Sequence, residues 1–83
     1  MAGYHRREIK KRLYGSAGKI QEELDELNDA HEQGSKIMVL VELADLYGAL
    51  EGYLEANYPG MQMHDLKKFS DITKRAFKNG DRQ

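Results

Sequence analysis

Between Ile37 and Leu50 the chain reads IMVLVELADLYGAL, a run that is almost wholly apolar except for Glu42 and Asp45. A helix of that composition has apolar side chains on every side and belongs in an interior. A carboxylate in such surroundings is costly unless it is paired or holds a metal. No Lys or Arg occurs between Ile37 and Leu66. The neutralising cation must therefore come from a distant part of the chain or from solution.

An earlier stretch poses a related problem. Six of the eleven residues from Glu22 to Glu32 are acidic. On a helix, Glu22 and Glu26, and Asp25 and Asp29, are like charges at i,i+4. Glu22/Asp25, Glu23/Glu26 and Glu26/Asp29 are like charges at i,i+3. Each such pair destabilises a helix by about 0.2–0.5 kcal/mol. Lys19 is placed to offset Glu22 and Glu23. The remaining repulsion is tolerable if the carboxylates share a divalent cation, since carboxylate oxygens suit Mg2+ and Mn2+. Glu23 and Glu26 are one turn apart on one helix, and Glu42 and Asp45 are one turn apart on the next. Two short-linked antiparallel helices can aim both pairs into one gap, as in the metal-binding cores of helix bundles. Asp25 and Asp29 are expected to face solvent.

The pattern E-E-x-x-E, a gap, then E-x-x-D resembles the signature of the all-α nucleoside triphosphate pyrophosphohydrolases. These include the MazG-like proteins, the dimeric dUTPases and the phosphoribosyl-ATP pyrophosphohydrolases. Lys19-Ile20-Gln21-Glu22-Glu23-Leu24-Asp25-Glu26-Leu27 and Val41-Glu42-Leu43-Ala44-Asp45-Leu46 are similar to the two motif helices of MazG-like proteins, compact phage-encoded ones included. The likeness is strong over residues 15–56 and weaker as far as residue 82. It implies an all-α helix bundle completed by oligomerisation, as a dimer or tetramer. It also implies Mg2+ or Mn2+ held by Glu23, Glu26, Glu42 and Asp45, and hydrolysis of a nucleoside triphosphate to the monophosphate and pyrophosphate. Glu22 is then a candidate base or an outer partner of the ligands. Lys78-Asn79-Gly80-Asp81-Arg82 resembles the K-N-x-x-R ending of many such enzymes, which gives Lys78, Asn79 and Arg82 a role in substrate binding. Lys74, one turn earlier, and Lys19 are further candidates for phosphate oxygens. Within the same superfamily the substrate could instead be phosphoribosyl-ATP, dUTP or dCTP. In a different class, the chain could be a non-catalytic helical dimer that binds a nucleotide or a protein.

Eighty-three residues allow one domain. A chain this short buries only about 60–65% of the surface its unfolded form exposes. With no cysteine to staple it or to offer a thiolate ligand, assembly with further copies is expected. The net charge of −1 argues against nucleic-acid binding driven by overall charge. No apolar run is long enough to span a bilayer, and no signal-peptide core is evident at the start. A cytoplasmic protein is expected, bacterial or phage-encoded.

Residues 1–15 are expected to form a basic arm, extended or irregular, and residues 16–83 the helical domain. The arm could cross a partner subunit, and its Arg and Lys residues could reach phosphates; a frayed basic terminus is the plainer expectation. Ser16 is a suitable N-cap for a first helix over 17–33, with Ile20, Leu24, Leu27 and His31 on its apolar seam and Gly34 as its stop. Ser35 precedes a second helix over 36–57. Gly48 and Gly52, four apart within it, suggest close approach of another helix or of a ligand, a helix being the plainer expectation. Tyr58-Pro59-Gly60 ends that helix. A third helix is predicted from His64 or Asp65 to Asn79, with Leu66, Phe69, Ile72 or Thr73, Ala76 and Phe77 as its apolar face.

Overall fold

The computed structural model describes residues 5, 6 and 8–78, with only the backbone of Ala76 and Phe77. Within them the fold is all-α: α1 is Ala17–Gln33, α2 is Lys36–Asn57 and α3 is Met63–Lys78. The first two helices have the expected bounds, and α3 starts one or two residues earlier than predicted. Asn79, Gly80 and Arg82 lie outside the described residues, as do the side chains of Ala76 and Phe77.

Local chemistry explains each boundary. Ser16 accepts the Lys19 N–H with its Oγ at 3.1 Å, satisfying one of the free amides of the first turn. Gly34 closes α1 in the left-handed region at φ 79°, and its N–H bonds to the His31 carbonyl at 3.0 Å. Ser35 then caps α2 by accepting from Met38 N. A two-residue connection turns the chain back on itself, so α1 and α2 form an antiparallel hairpin with the one extensive helix–helix packing among the described residues. Before α3, Asp65 Oδ2 reaches back to accept the Gln62 N–H at 3.0 Å, which organises that helix start.

The buried side of the hairpin is unusual. Among the described residues the buried apolar side chains are Ala30, Ala49 and Leu54, whereas the buried acids are Glu22, Glu23, Glu26, Asp29 and Glu42. On α1 the expected apolar seam is not the buried face. Leu24 is partly exposed, His31 is exposed, and Ile20 and Leu27 are half-buried. The acidic stripe is turned inward instead. On α2 the interior character inferred from composition is not met within one chain, since Ile37, Leu40, Val41, Leu43 and Tyr47 are exposed. Phe69 and Ile72 of α3 are exposed too, and α3 is only lightly attached to the hairpin.

The described part of the N-terminal arm is irregular, neither helix nor strand, and it is not frayed but lies on its own hairpin. It runs antiparallel to α1: the Arg6 N–H bonds to Asp29 and the Arg12 N–H to Glu22. Further on, Tyr14 covers the backbone of Gly52, where an added Cβ would lie 2.5 Å from the ring Cζ. Gly15, at φ 93°, lies against Ala56, and its carbonyl accepts from Asn57 Nδ2 at 3.2 Å. Close approach at Gly52 is thus made by an aromatic ring of the arm rather than by a helix. Gly48 has no neighbour within 4 Å in its Cβ direction.

Candidate metal centre

Four carboxylates converge between α1 and α2. Glu23, Glu26, Glu42 and Asp45 each offer an oxygen, and these atoms all lie within 4.8 Å of one another. Glu23 and Glu26 come from successive turns of α1, Glu42 and Asp45 from successive turns of α2. The hairpin brings the two pairs together as the spacing requires. Glu23, Glu26 and Glu42 are buried, while Asp45 is exposed and opens the cluster to solvent. Glu23 Oε1 and Glu42 Oε1 are buried with no hydrogen-bond donor among the described residues. Orphaned buried carboxylate oxygens are rare because each carries a desolvation cost with nothing to offset it. An oxygen-rich, multiply anionic donor set of this kind fits a hard divalent cation.

A second set overlaps the first. His5, Glu26 and Glu42 also have ligand atoms within 4.8 Å of one another. His5 Nε2 lies 3.2 Å from Glu42 Oε2 and 3.5 Å from Glu26 Oε1. Its Nδ1 lies 2.9 Å from Asp29 Oδ2. Asp29 is fully buried, contrary to the expectation that it faces solvent. On α1 the positions 22, 26 and 29 form one stripe at i, i+4 and i+7, so Asp29 continues the inward acidic face. Asp25 is exposed, as expected, and bonds to Gln21.

The carboxylates fall into two electrostatic kinds. Burial works against ionisation of Glu22, yet the Lys19 ammonium at 3.1 Å and the Arg12 N–H outweigh it and hold the carboxyl below its ordinary range. Burial is likewise outweighed at Asp29, where His5, the Arg6 N–H and Gln33 lower the carboxyl. Glu26 goes the other way: burial, and then the neighbouring Glu23 charge, raise it. Glu42 is raised by burial and by Asp45. Two carboxylates lowered by protein donors thus flank two raised by burial and a neighbouring charge, although Asp29 Oδ1 also lies buried without a donor among the described residues.

Of the other expected site residues, Glu22 has both oxygens engaged, Oε1 by the Arg12 N–H and Oε2 by Lys19 and, at 3.8 Å, by Lys11. Lys19 bridges Glu22 and Glu23, at 3.1 Å from each. Lys74 is paired with Asp71 on its own helix at 3.8 Å, and Lys78 is exposed near the end of α3. The structure does not bring these two into the carboxylate cluster. Asn79 and Arg82 lie outside the described residues.

Two members of the site were missed from sequence. Asp29 was accessible through the 22/26/29 stripe. His5 carries no local signal, because only the path of the arm puts it beside Glu26, Asp29 and Glu42, all far along the chain. No protein-family model, curated protein or solved structure matches this chain.

Proposed function

We propose that the chain is a divalent-metal-dependent nucleoside triphosphate pyrophosphohydrolase of the MazG-like type, working as a homo-oligomer. The observation that carries this reading is the convergence of Glu23, Glu26, Glu42 and Asp45 within 4.8 Å, with buried oxygens on Glu23 and Glu42 that no donor among the described residues reaches. The likeness of the two motif helices to that superfamily supports the reaction assigned to it.

Glu23, Glu26, Glu42 and Asp45 would hold the ion or ions. Glu26 and Glu42 belong to both overlapping sets and are placed to be shared. Bound Mg2+ or Mn2+ supplies neutralisation of phosphate charge and lowers the pKa of an attacking water. The water oxygen forms a bond to the α-phosphorus, and the bond from that phosphorus to the bridging oxygen breaks. The electron pair leaves with pyrophosphate, and the water proton is released. Asp45, as the exposed member, marks the side from which a triphosphate approaches. Glu22 takes the outer role rather than that of base, because its oxygens are occupied and its charge is already balanced. It fixes Lys19 and the arm. Lys19 borders the cluster and is assigned to triphosphate oxygens; for Lys74, Lys78, Asn79 and Arg82 that assignment rests on the resemblance alone.

Oligomerisation is supported by the apolar surface on two helices. Ile37 is 77% exposed and Leu40 66% exposed on α2, and Phe69 and Ile72 on α3 are more than half exposed. Burying a large apolar side chain contributes about 1.5–3 kcal/mol. A second copy covering these residues would supply the apolar core that one chain lacks.

The test is pyrophosphate release from a panel of nucleoside and deoxynucleoside triphosphates and phosphoribosyl-ATP, with and without Mg2+ or Mn2+. Metal-dependent formation of monophosphate and pyrophosphate, abolished in Glu42→Ala/Asp45→Ala, is expected. A folded, metal-binding wild type that turns over none of them would leave the non-catalytic helical dimer as the better reading.

A further inference from the structure

We propose that His5 is a nitrogen ligand of the metal centre, held in place by Asp29, and that the centre therefore takes Mn2+ or a similar first-row transition dication in preference to Mg2+. The inference rests on the metal-binding reading of the carboxylate cluster and extends it to a residue of the N-terminal arm.

The geometry on the two ring nitrogens is what distinguishes a ligand from a passing counter-charge. Asp29 Oδ2 lies 2.9 Å from Nδ1 and also receives the Arg6 N–H and Gln33 Nε2. An ionised carboxylate only accepts, so Nδ1 is the nitrogen that donates to Asp29, and Nε2 is the one turned to the cluster. There Nε2 is nearly equidistant from Glu42 Oε2 and Glu26 Oε1, at 3.2 and 3.5 Å. A single N–H could serve both oxygens only as a three-centre bond, long on both arms. A lone pair directed between them can share one ion with both. Adjacent ligands on an ion with bonds of about 2.0–2.2 Å are about 3 Å apart, close to these separations. A carboxylate on the far ring nitrogen is the usual outer partner of a metal-bound histidine, fixing its tautomer and orientation.

Two independent observations point to a cation rather than to a closed ion pair. Glu42 is 1% exposed and still has Oε1 without a donor among the described residues, although His5 is seated beside it. Glu23, 6% exposed, has the same deficit at its Oε1. One imidazole therefore does not satisfy the cluster. The preference among metals follows from donor type: imidazole nitrogen suits transition ions, whereas Mg2+ prefers oxygen and retains water.

The experiment uses the full chain without any added histidine tag. Mn2+ binding is followed by electron paramagnetic resonance, with pulsed detection of nitrogen coupling to the bound ion and Mg2+ added as competitor. Wild type is expected to show histidine nitrogen coupling and to bind Mn2+ at least about tenfold more tightly than Mg2+. His5→Ala should lose the coupling and weaken Mn2+ by at least about tenfold, leaving Mg2+ binding less affected. Asp29→Asn should weaken Mn2+ by about 10–100-fold, the usual cost of removing an outer partner. Bound Mn2+ without nitrogen coupling in wild type would overturn the assignment of His5, whatever the variants do, and so would tighter binding in His5→Ala. Either result leaves the carboxylate centre standing. Absence of Mn2+ binding in wild type, matched by Glu42→Gln, would remove both.

Discussion

The ring of Tyr14 occupies the space that a side chain at Gly52 would fill, 2.5 Å from the position of its Cβ. This contact ties the arm to α2 a few residues after Arg12 ties it to Glu22. The arm is therefore held at both ends of the acidic groove, by backbone N–H groups to Asp29 and Glu22 and by a ring on a bare stretch of helix.

Gly52→Ala is expected to displace Tyr14, a residue 60% exposed that can swing away. The helix itself gains from the change, since Gly costs about 1 kcal/mol relative to Ala in a helix interior. The signature is faster amide exchange over residues 8–13 with little change in overall stability. Unchanged exchange there would show that Tyr14 does not anchor the arm. The companion Gly48→Ala meets nothing within 4 Å and should stabilise by about 1 kcal/mol. A fall in melting temperature would instead show a partner helix packed on Gly48.

Glu42→Gln should have opposite effects on the two states of the protein. Without metal, the substitution removes a charge that burial and Asp45 both disfavour, so thermal stability rises. With Mn2+, wild type gains about 2.7 kcal/mol when free metal is 100 times its dissociation constant, and the variant gains little. Glu23→Gln/Glu26→Gln should lose the metal response as well. Melting curves of wild type and variants with and without millimolar Mn2+ decide the matter, and a wild type indifferent to metal would contradict the proposed centre.

Acid should weaken metal binding earlier than ordinary carboxylates would allow. Protons compete for the ligands, and Glu26 and Glu42 are both raised above 4.5 in the fold. In the metal-free protein the sign is reversed for these two groups. Their protonated forms favour the fold, so that contribution is present below about pH 4.5 and is lost as pH rises through the raised values. Glu22 and Asp29, both lowered, contribute stability that is present at neutral pH and is lost as pH falls through their depressed values. Mn2+ titrations from neutral pH downward should show affinity falling before the fold is lost. Affinity independent of pH down to the unfolding limb would argue that neither Glu26 nor Glu42 is a ligand.

Leu40→Glu tests assembly. Leu40 is 66% exposed in one chain, so a lone chain would tolerate the change within about 0.5 kcal/mol. A chain that buries this face against another copy would dissociate or lose stability sharply. Light scattering after size-exclusion chromatography reads the difference, and a wild type that is monomeric at all concentrations would rule out the proposed oligomer.

The helix boundaries were legible because they depend on neighbours in sequence. Ser16, Gly34 and Ser35 bond to atoms three or four residues away, and those bonds form wherever the chain goes next. The meeting of Glu23 and Glu26 with Glu42 and Asp45 was legible for the same reason, since helical spacing and a two-residue turn leave few alternatives. Which face of α1 turns inward was a different matter. Apolar spacing favoured the Ile20–Leu24–Leu27 side, but the arm buries the acidic side instead, by offering it N–H groups, Lys11 and His5. Contacts between residues 5 and 29, or 14 and 52, depend on the path of an irregular segment with no periodicity of its own. Only the tertiary structure decides where such a segment lies, because its energy comes from the surface it happens to cover.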